Sequence, residues 1–159
     1  MQADGRAPWD PELASEIIAE WTMTPGGLLP LLQALQARFA HVPDAAVPLV
    51  AEALNLSRAE VHGVLTFYHD FRRVPPGRHV VKLCRAEACQ ARGGRAVEGA
   101  LRRALGVGYG ETTADGAVTL ESAYCLGLCA SGPAALVDDA PVARLDETRL
   151  NALVGELRR

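Results

Sequence analysis

No run of about 18 consecutive apolar residues occurs in this sequence, so it offers no candidate transmembrane helix. Its first residues, MQADGRAPWDPE, lack the basic-then-apolar profile of a secretory signal. There is no G-x-G-x-x-G and no P-loop, the glycine patterns that cradle dinucleotides and triphosphates. Nor is there a C-x-x-C, the spacing that places a reactive dithiol at a helix N-terminus. The net charge is −3 and the arginines are scattered, apart from Arg92/Arg95 and Arg102/Arg103. Without a basic stripe to neutralise phosphates, nucleic acid is excluded as a partner. Internal repeats and low-complexity segments are missing too. These absences lead to the expectation of a soluble, cytoplasmic protein with no membrane span.

What is present suits a globular chain. Of 159 residues, 49% are hydrophobic and 22% charged, enough apolar material for one domain or two small ones. Residues 9–72 read as helices. A first helix is expected over about residues 11–21. LLPLLQALQARF then sets Leu28, Leu31, Leu32, Leu35 and Phe39 at helical spacing, with Thr24 as N-cap and Pro25 in the first turn. A helix follows Asp44, burying Val47, Val50, Ala51 and Leu54. SRAE is a capping box, Ser57 with Glu60, opening a helix whose Val61, Val64, Leu65 and Tyr68 share a face. On that helix His62 and His69 fall on one side, where docking is a better use than metal ligation. Phe67, Tyr68 and Phe71 are expected in a core or an interface, and Trp9 and Trp21 in a local core or as anchors on a partner.

RRVPPGRH interrupts the helical pattern and places a domain boundary near residue 76. After it the grammar changes. RHVVKLC and GAVTLESAYC read as strands, GRAVEGALRRAL as an amphipathic helix, and AALVDD with APVARL as a hairpin turning near Asp138 and Asp139. Asp146 caps a last helix. The expected fold is α+β: a small N-terminal helical bundle over residues 1–76, then a thioredoxin-like α/β domain of order β-α-β-β-α over residues 77–159.

The four cysteines form two doublets, Cys84 with Cys89 in CRAEACQ and Cys125 with Cys129 in YCLGLCASGP. Cys84 ends a predicted strand, Cys89 lies in the loop before the helix, and the second pair follows a later strand, so all four can meet at one end of a sheet. In a reducing compartment such pairs point to metal or redox chemistry before structural disulfides. Four thiolates satisfy either a structural zinc ion or a [2Fe–2S] cluster, and spacing alone leaves both open. The C-x4-C-x2-C pattern of plant-type ferredoxins is not this arrangement. Gly93, Gly94, Gly127 and Gly132 flank the cysteines, where tight turns would aim amides at sulfur. Arg85 and Glu87 are read as solvated loop charges, and His79 and Lys82 as surface residues beside the site.

VHGVLTFYHDF, GRHVVKLCRAEACQARGG and ETTADGAVTLESAYCLGLCASGPA resemble the thioredoxin-like [2Fe–2S] ferredoxin family, which includes the 24-kDa-type subunit of respiratory complex I and small subunits of NAD-linked hydrogenases. The resemblance covers nearly the whole chain. Its C-x4-C and C-x3-C doublets, separated by 35 residues, match the family's cluster motif at every ligand. It implies one [2Fe–2S] cluster on Cys84, Cys89, Cys125 and Cys129 and a non-catalytic, electron-transferring role. Around CRAEACQ and DAAVPLVAEALNLSRAEVHGVLTFYHDF the chain looks most like the gamma subunit of cytoplasmic NAD-dependent formate dehydrogenases. That narrower resemblance implies a beta subunit with FMN and an iron–sulfur cluster, and an alpha subunit with the molybdopterin cofactor and further clusters. A hydrogenase or complex I assembly is the alternative, and a zinc-stabilised, non-redox assembly module the alternative of another class.

Overall fold

Two of the four helices of the first half, the first and the last, start where a side chain caps the unpaired helix end. In the computed structural model, which describes residues 7–158, α1 (Pro11–Ala19) has Pro11 in its first turn, and the Asp10 carboxylate accepts the Glu12 amide at 2.9 Å. α2 (Leu28–Phe39) buries Leu31, Leu32, Leu35 and Phe39. Its expected N-cap is corrected: Thr24 and Pro25 lie in a preceding turn, because Gly26 takes φ +71° and breaks the helical path, leaving Gly27 as the uncapped start. α3 (Ala46–Ala53) and α4 (Arg58–Phe67) follow. The capping box forms as expected, with the Ser57 amide donating to Glu60 Oε2 at 2.8 Å and the Glu60 amide to Ser57 Oγ at 3.2 Å.

These helices enclose one apolar cluster, on which Trp9 and Trp21 also pack, Trp9 meeting Phe39 edge-on at 5.0 Å between ring centres. Gln36 ties the end of the bundle together, since its Nε2 donates to the Asp70 carbonyl at 2.8 Å and its Oε1 accepts the Arg72 amide at 2.6 Å. Arg73 pairs with Asp44. One expectation fails here: Tyr68 turns to extended geometry and ends α4, so His69 is off the helix and shares no helical face with His62. Of the three aromatic residues Phe71 packs on the helical core, whereas Tyr68 and Phe67, 44% and 72% exposed, lie outside it.

The chain divides between Pro75 and Pro76. The second unit holds β1 (His79–Cys84), a helical turn α5 (Glu87–Cys89) running through a widened turn at Gln90–Gly94 into α6 (Arg95–Leu105), then β2 (Glu111–Thr112), β3 (Val118–Ala123), β4 (Ala135–Val137), β5 (Ala140–Val142) and α7 (Glu147–Leu157). The mixed sheet has the order β2-β3-β1-β4-β5, with β1 and β3 parallel and the other neighbours antiparallel. The two-residue β2 went unpredicted because Glu111 and Thr112 are exposed and carry no apolar alternation. Asp146 caps α7 by accepting the Arg149 amide at 2.8 Å. Val97, Leu101 and Leu105 of α6 and Leu150, Val154 and Leu157 of α7 join Val81, Leu83, Val118 and Leu120 of the strands in one core. The organisation is α+β and thioredoxin-like, and no helix among the described residues is long and apolar enough to cross a membrane.

Candidate metal centre

The parallel pairing of β1 and β3 decides where the cysteines meet. Register runs from His79 opposite Val118 to Cys84 opposite Ala123, so both strands finish at one level. Cys84 is the last residue of β1, and Cys125 lies just past β3 in the loop that continues to Cys129. Cys89 is not in a loop as expected, because it closes the α5 turn, where its amide and that of Gln90 both donate to the Ala86 carbonyl at 3.0 Å. A turn of helix brings the sulfur back beneath the strand end. Cys84 and Cys89 are 2% and 1% exposed, whereas Cys125 and Cys129 face outward.

The second loop is wound to present amides. Cys125 has φ +81° and Gly127 φ +76°, both left-handed. A non-glycine residue there costs about 1–2 kcal/mol. The amides of Ala86, Cys125 and Leu126 face the Cys84 sulfur and favour its thiolate. Burial pushes the Cys84 thiol up, yet these amides and a hydrogen bond with Cys89 outweigh it and hold the thiol below its ordinary value. Cys89 moves the other way, raised by burial and then by its hydrogen bond with Cys84, against the opposing Ala134 amide. Cys129 is also raised, by its hydrogen bond with Cys125 and by that thiolate's charge. A cation bound by each doublet would relieve the repulsion between its two sulfurs.

Cys125 Sγ and Cys129 Sγ lie 3.7 Å apart. Two thiolates on one tetrahedral ion with bonds of about 2.3 Å stand about 3.8 Å apart, so this pair is already at ligand spacing. Among the described residues no three His, Cys, Asp or Glu side chains close on a single point. A two-iron cluster does not ask for that, because each iron takes only two of the four thiolates. The backbone leaves room at the sulfurs: a Cβ on Gly132 would stand 3.0 Å from Cys89 Sγ, and one on Gly94 2.7 Å from the Cys89 carbonyl oxygen. Glycine serves two purposes here, since Gly93 and Gly127 supply positive φ whereas Gly94 and Gly132 supply space. The donor set, its spacing and this cradle fit a thiolate-bound cluster.

The surroundings hold residues that sequence reasoning missed. Arg85 is not a solvated loop charge: its Nε meets Glu98 Oε2 at 3.2 Å, its guanidinium stands 4.8 Å from the centre of the Tyr109 ring, and its Nη1 donates to Tyr124 Oη at 3.3 Å. Glu98, one turn into α6, carried no signal beyond helical periodicity. Arg85, Glu98, Arg102 and Tyr124 line a cavity of about 540 Å³ beside the cysteines. Arg92 Nε donates to the Gly132 carbonyl at 3.0 Å. His79 and Lys82 pair with Asp138 and Asp139 at the other end of the sheet's hairpin.

A family model described as thioredoxin-like [2Fe-2S] ferredoxin matches residues 14–158. The chain belongs to this family. Its cofactor is one [2Fe–2S] cluster, and the four cysteines such a cluster needs are all present and free. Among curated relatives, this ferredoxin is 41% identical over 108 residues to a subunit of the NADH-quinone oxidoreductase of Pseudomonas aeruginosa, covering 68% of the chain and 65% of the relative. It is 37% identical over 114 residues to the corresponding NADH-quinone oxidoreductase subunit of Escherichia coli, covering 72% of the chain and 69% of the relative. The match thus spans about two thirds of these relatives, and just under that for the first. Among solved structures, an air-oxidised NAD+-reducing [NiFe]-hydrogenase chain superposes with a TM-score of 0.71 at 28% identity, over 83% of this chain and 23% of the hydrogenase chain.

Proposed function

We propose that this chain is the electron-transfer subunit of an NAD-linked oxidoreductase complex, with Cys84 and Cys89 holding one iron of a [2Fe–2S] cluster and Cys125 and Cys129 the other. The observation that carries this reading is the convergence of two thiol pairs at the level ends of β1 and β3, with three backbone amides turned onto Cys84. When bound, the cluster supplies one-electron transfer between partners. The chain's own work is placement. Buried Cys84 and Cys89 anchor the inner side, the amides at Cys84 stabilise negative charge on sulfur, and exposed Cys125 and Cys129 leave an outward face for electron exchange. No general acid, base or nucleophile is asked of it.

The partner class rests on the relatives, an NADH-quinone oxidoreductase and an NAD+-reducing hydrogenase, which support a module that exchanges electrons with NAD; a flavin-carrying partner subunit and a docking role for the helical unit (residues 1–76) are further parts of the proposal. The finer reading, a formate dehydrogenase gamma subunit beside a molybdopterin-bearing alpha subunit, rests only on the segments around CRAEACQ and DAAVPLVAEALNLSRAEVHGVLTFYHDF. The deciding experiment is iron, zinc and acid-labile sulfide analysis of anaerobically purified protein, with electron paramagnetic resonance before and after dithionite. About two irons and two sulfides per chain, silent when oxidised and spin-half when reduced, is the expected result. Stoichiometric zinc without sulfide would replace it with a structural module. Copurification of a tagged chain, assayed with NADH, hydrogen and formate, names the partner.

A further inference from the structure

Two arginines reach from the first cysteine segment to the second. Arg85 follows Cys84 directly and donates to the hydroxyl of Tyr124, which precedes Cys125. Arg92 stands three residues after Cys89 and donates to the carbonyl of Gly132, three residues after Cys129. The second bond is the more consequential. Gly132 is buried, and its Cα hydrogen faces the Cys89 sulfur so closely that a Cβ would stand 3.0 Å away. Holding the Gly132 carbonyl therefore fixes the 129–132 turn against Cys89. The turn carrying Arg92 is itself irregular, with Arg92 at φ −100° and Gly93 at φ +92°, and that departure from helix accompanies the reach to Gly132.

The two arginines differ in charge balance. Arg85 is offset by Glu98, whereas no described carboxylate pairs with Arg92. One-electron reduction at the thiolate site adds one negative charge, and an unbalanced cation beside it favours the reduced form.

We propose that Arg92, assisted by Arg85, is a positioning residue that staples the two cysteine-bearing loops at a fixed opening. It also supplies the uncompensated positive charge that favours the reduced state. This rests on the reading that the four cysteines hold the cluster.

The experiment uses the full chain with its cluster, comparing wild type, Arg92→Gln, Arg92→Lys, Arg85→Gln and Arg95→Gln. Arg95 is an exposed cation on α6 with no bond across the loops, so its variant controls for charge alone. Circular dichroism melts confirm folding. The readouts are cluster loss in a chelator, the dithionite-reduced paramagnetic spectrum, and the midpoint potential in a dye-buffered titration where dithionite supplies the electron. Arg92→Gln is expected to lose its cluster about tenfold faster, from a lost charge-assisted hydrogen bond. Its ratio of reduced to oxidised cluster at fixed potential should fall about threefold, which is about 30 mV. Arg92→Lys restores the potential and most of the retention, Arg85→Gln loses its cluster faster with less effect on potential, and Arg95→Gln retains its cluster like wild type. Wild-type retention, spectrum and potential in Arg92→Gln would overturn the whole proposal, and faster loss with spectrum and potential unchanged would overturn the charge role of Arg92. A wild-type chain without iron or sulfide would instead overturn the cluster reading itself, and the staple with it.

Discussion

Gly132 shows how little tolerance the site has at the level of single atoms. Its φ is ordinary, so any side chain would be acceptable to the backbone, yet a methyl group there meets the Cys89 sulfur at 3.0 Å. Gly132→Ala is expected to destabilise the cluster-bearing unit by about 1–3 kcal/mol and to lower iron and sulfide content after reconstitution. Cys129→Ser removes one of two sulfurs held at 3.7 Å and should abolish the spin-half signal, and an intact signal would take Cys129 off the ligand set. Tyr109 gives a pH signature. Burial first, and then the charge of Glu98, raise its phenol to about 12 against the opposing pull of Arg85 and Arg102. Glu98 influences that hydroxyl through its charge, since no group meets hydrogen-bonding geometry with it. The folded protein keeps the phenol proton longer than the unfolded chain, whose value is 10.0. This contribution to stability is whole below pH 10 and fades as pH rises towards 12. Phenolate absorbance should show one late-titrating tyrosine that Tyr109→Phe removes, with alkaline destabilisation reduced in the same variant.

At the scale of elements, a local signal sets the start of α4 and a long-range contact accompanies its end. The Ser57–Glu60 box satisfies two amides at the head of α4, so Ser57→Ala should cost about 1 kcal/mol, read by urea unfolding of the helical unit. Its acid dependence has a definite sign. Hydrogen bonds from the Ser57 amide and hydroxyl hold the Glu60 carboxyl below 4.5, and the Arg73 hydrogen bond holds Asp44 below 3.8. Both contributions are present above those values and disappear as pH falls through the depressed ones, so acid unfolding should begin below about pH 4.5 and shift upward in Asp44→Asn. The end of α4 follows no such local rule. Tyr68 leaves the helix in a segment that the Gln36 side chain pins to α2, a contact 34 residues away in sequence that no periodicity reveals.

Across the molecule, two separate apolar clusters stabilise the two units. Leu35 and Leu101 are essentially inaccessible, one in each. Leu35→Ala should destabilise the helical unit by about 2–5 kcal/mol and leave iron and sulfide content unchanged. Leu101→Ala should cost a similar amount in the sheet unit and reduce cluster retention, because α6 follows directly from the turn carrying Cys89. Loss of cluster in both variants would show that the two cores do not act independently.

Most helix faces, the capping box, the strands of the sheet apart from β2, and the four cysteines with their family motif were legible in the chain before any folding was known. Each of these is written in local spacing, which the backbone geometry of helix and strand reads directly. Folding in three dimensions was needed to put Cys84 level with the end of β3, to turn amides onto Cys84 through a left-handed Cys125, and to make Gly132 a glycine for space rather than for φ. It also carried Arg85 and Arg92 across between the loops. Those relations join residues 39 and 40 positions apart, and they follow from the parallel register of β1 and β3, which pairs strands separated by a helix and is set by burial of the sheet's apolar face.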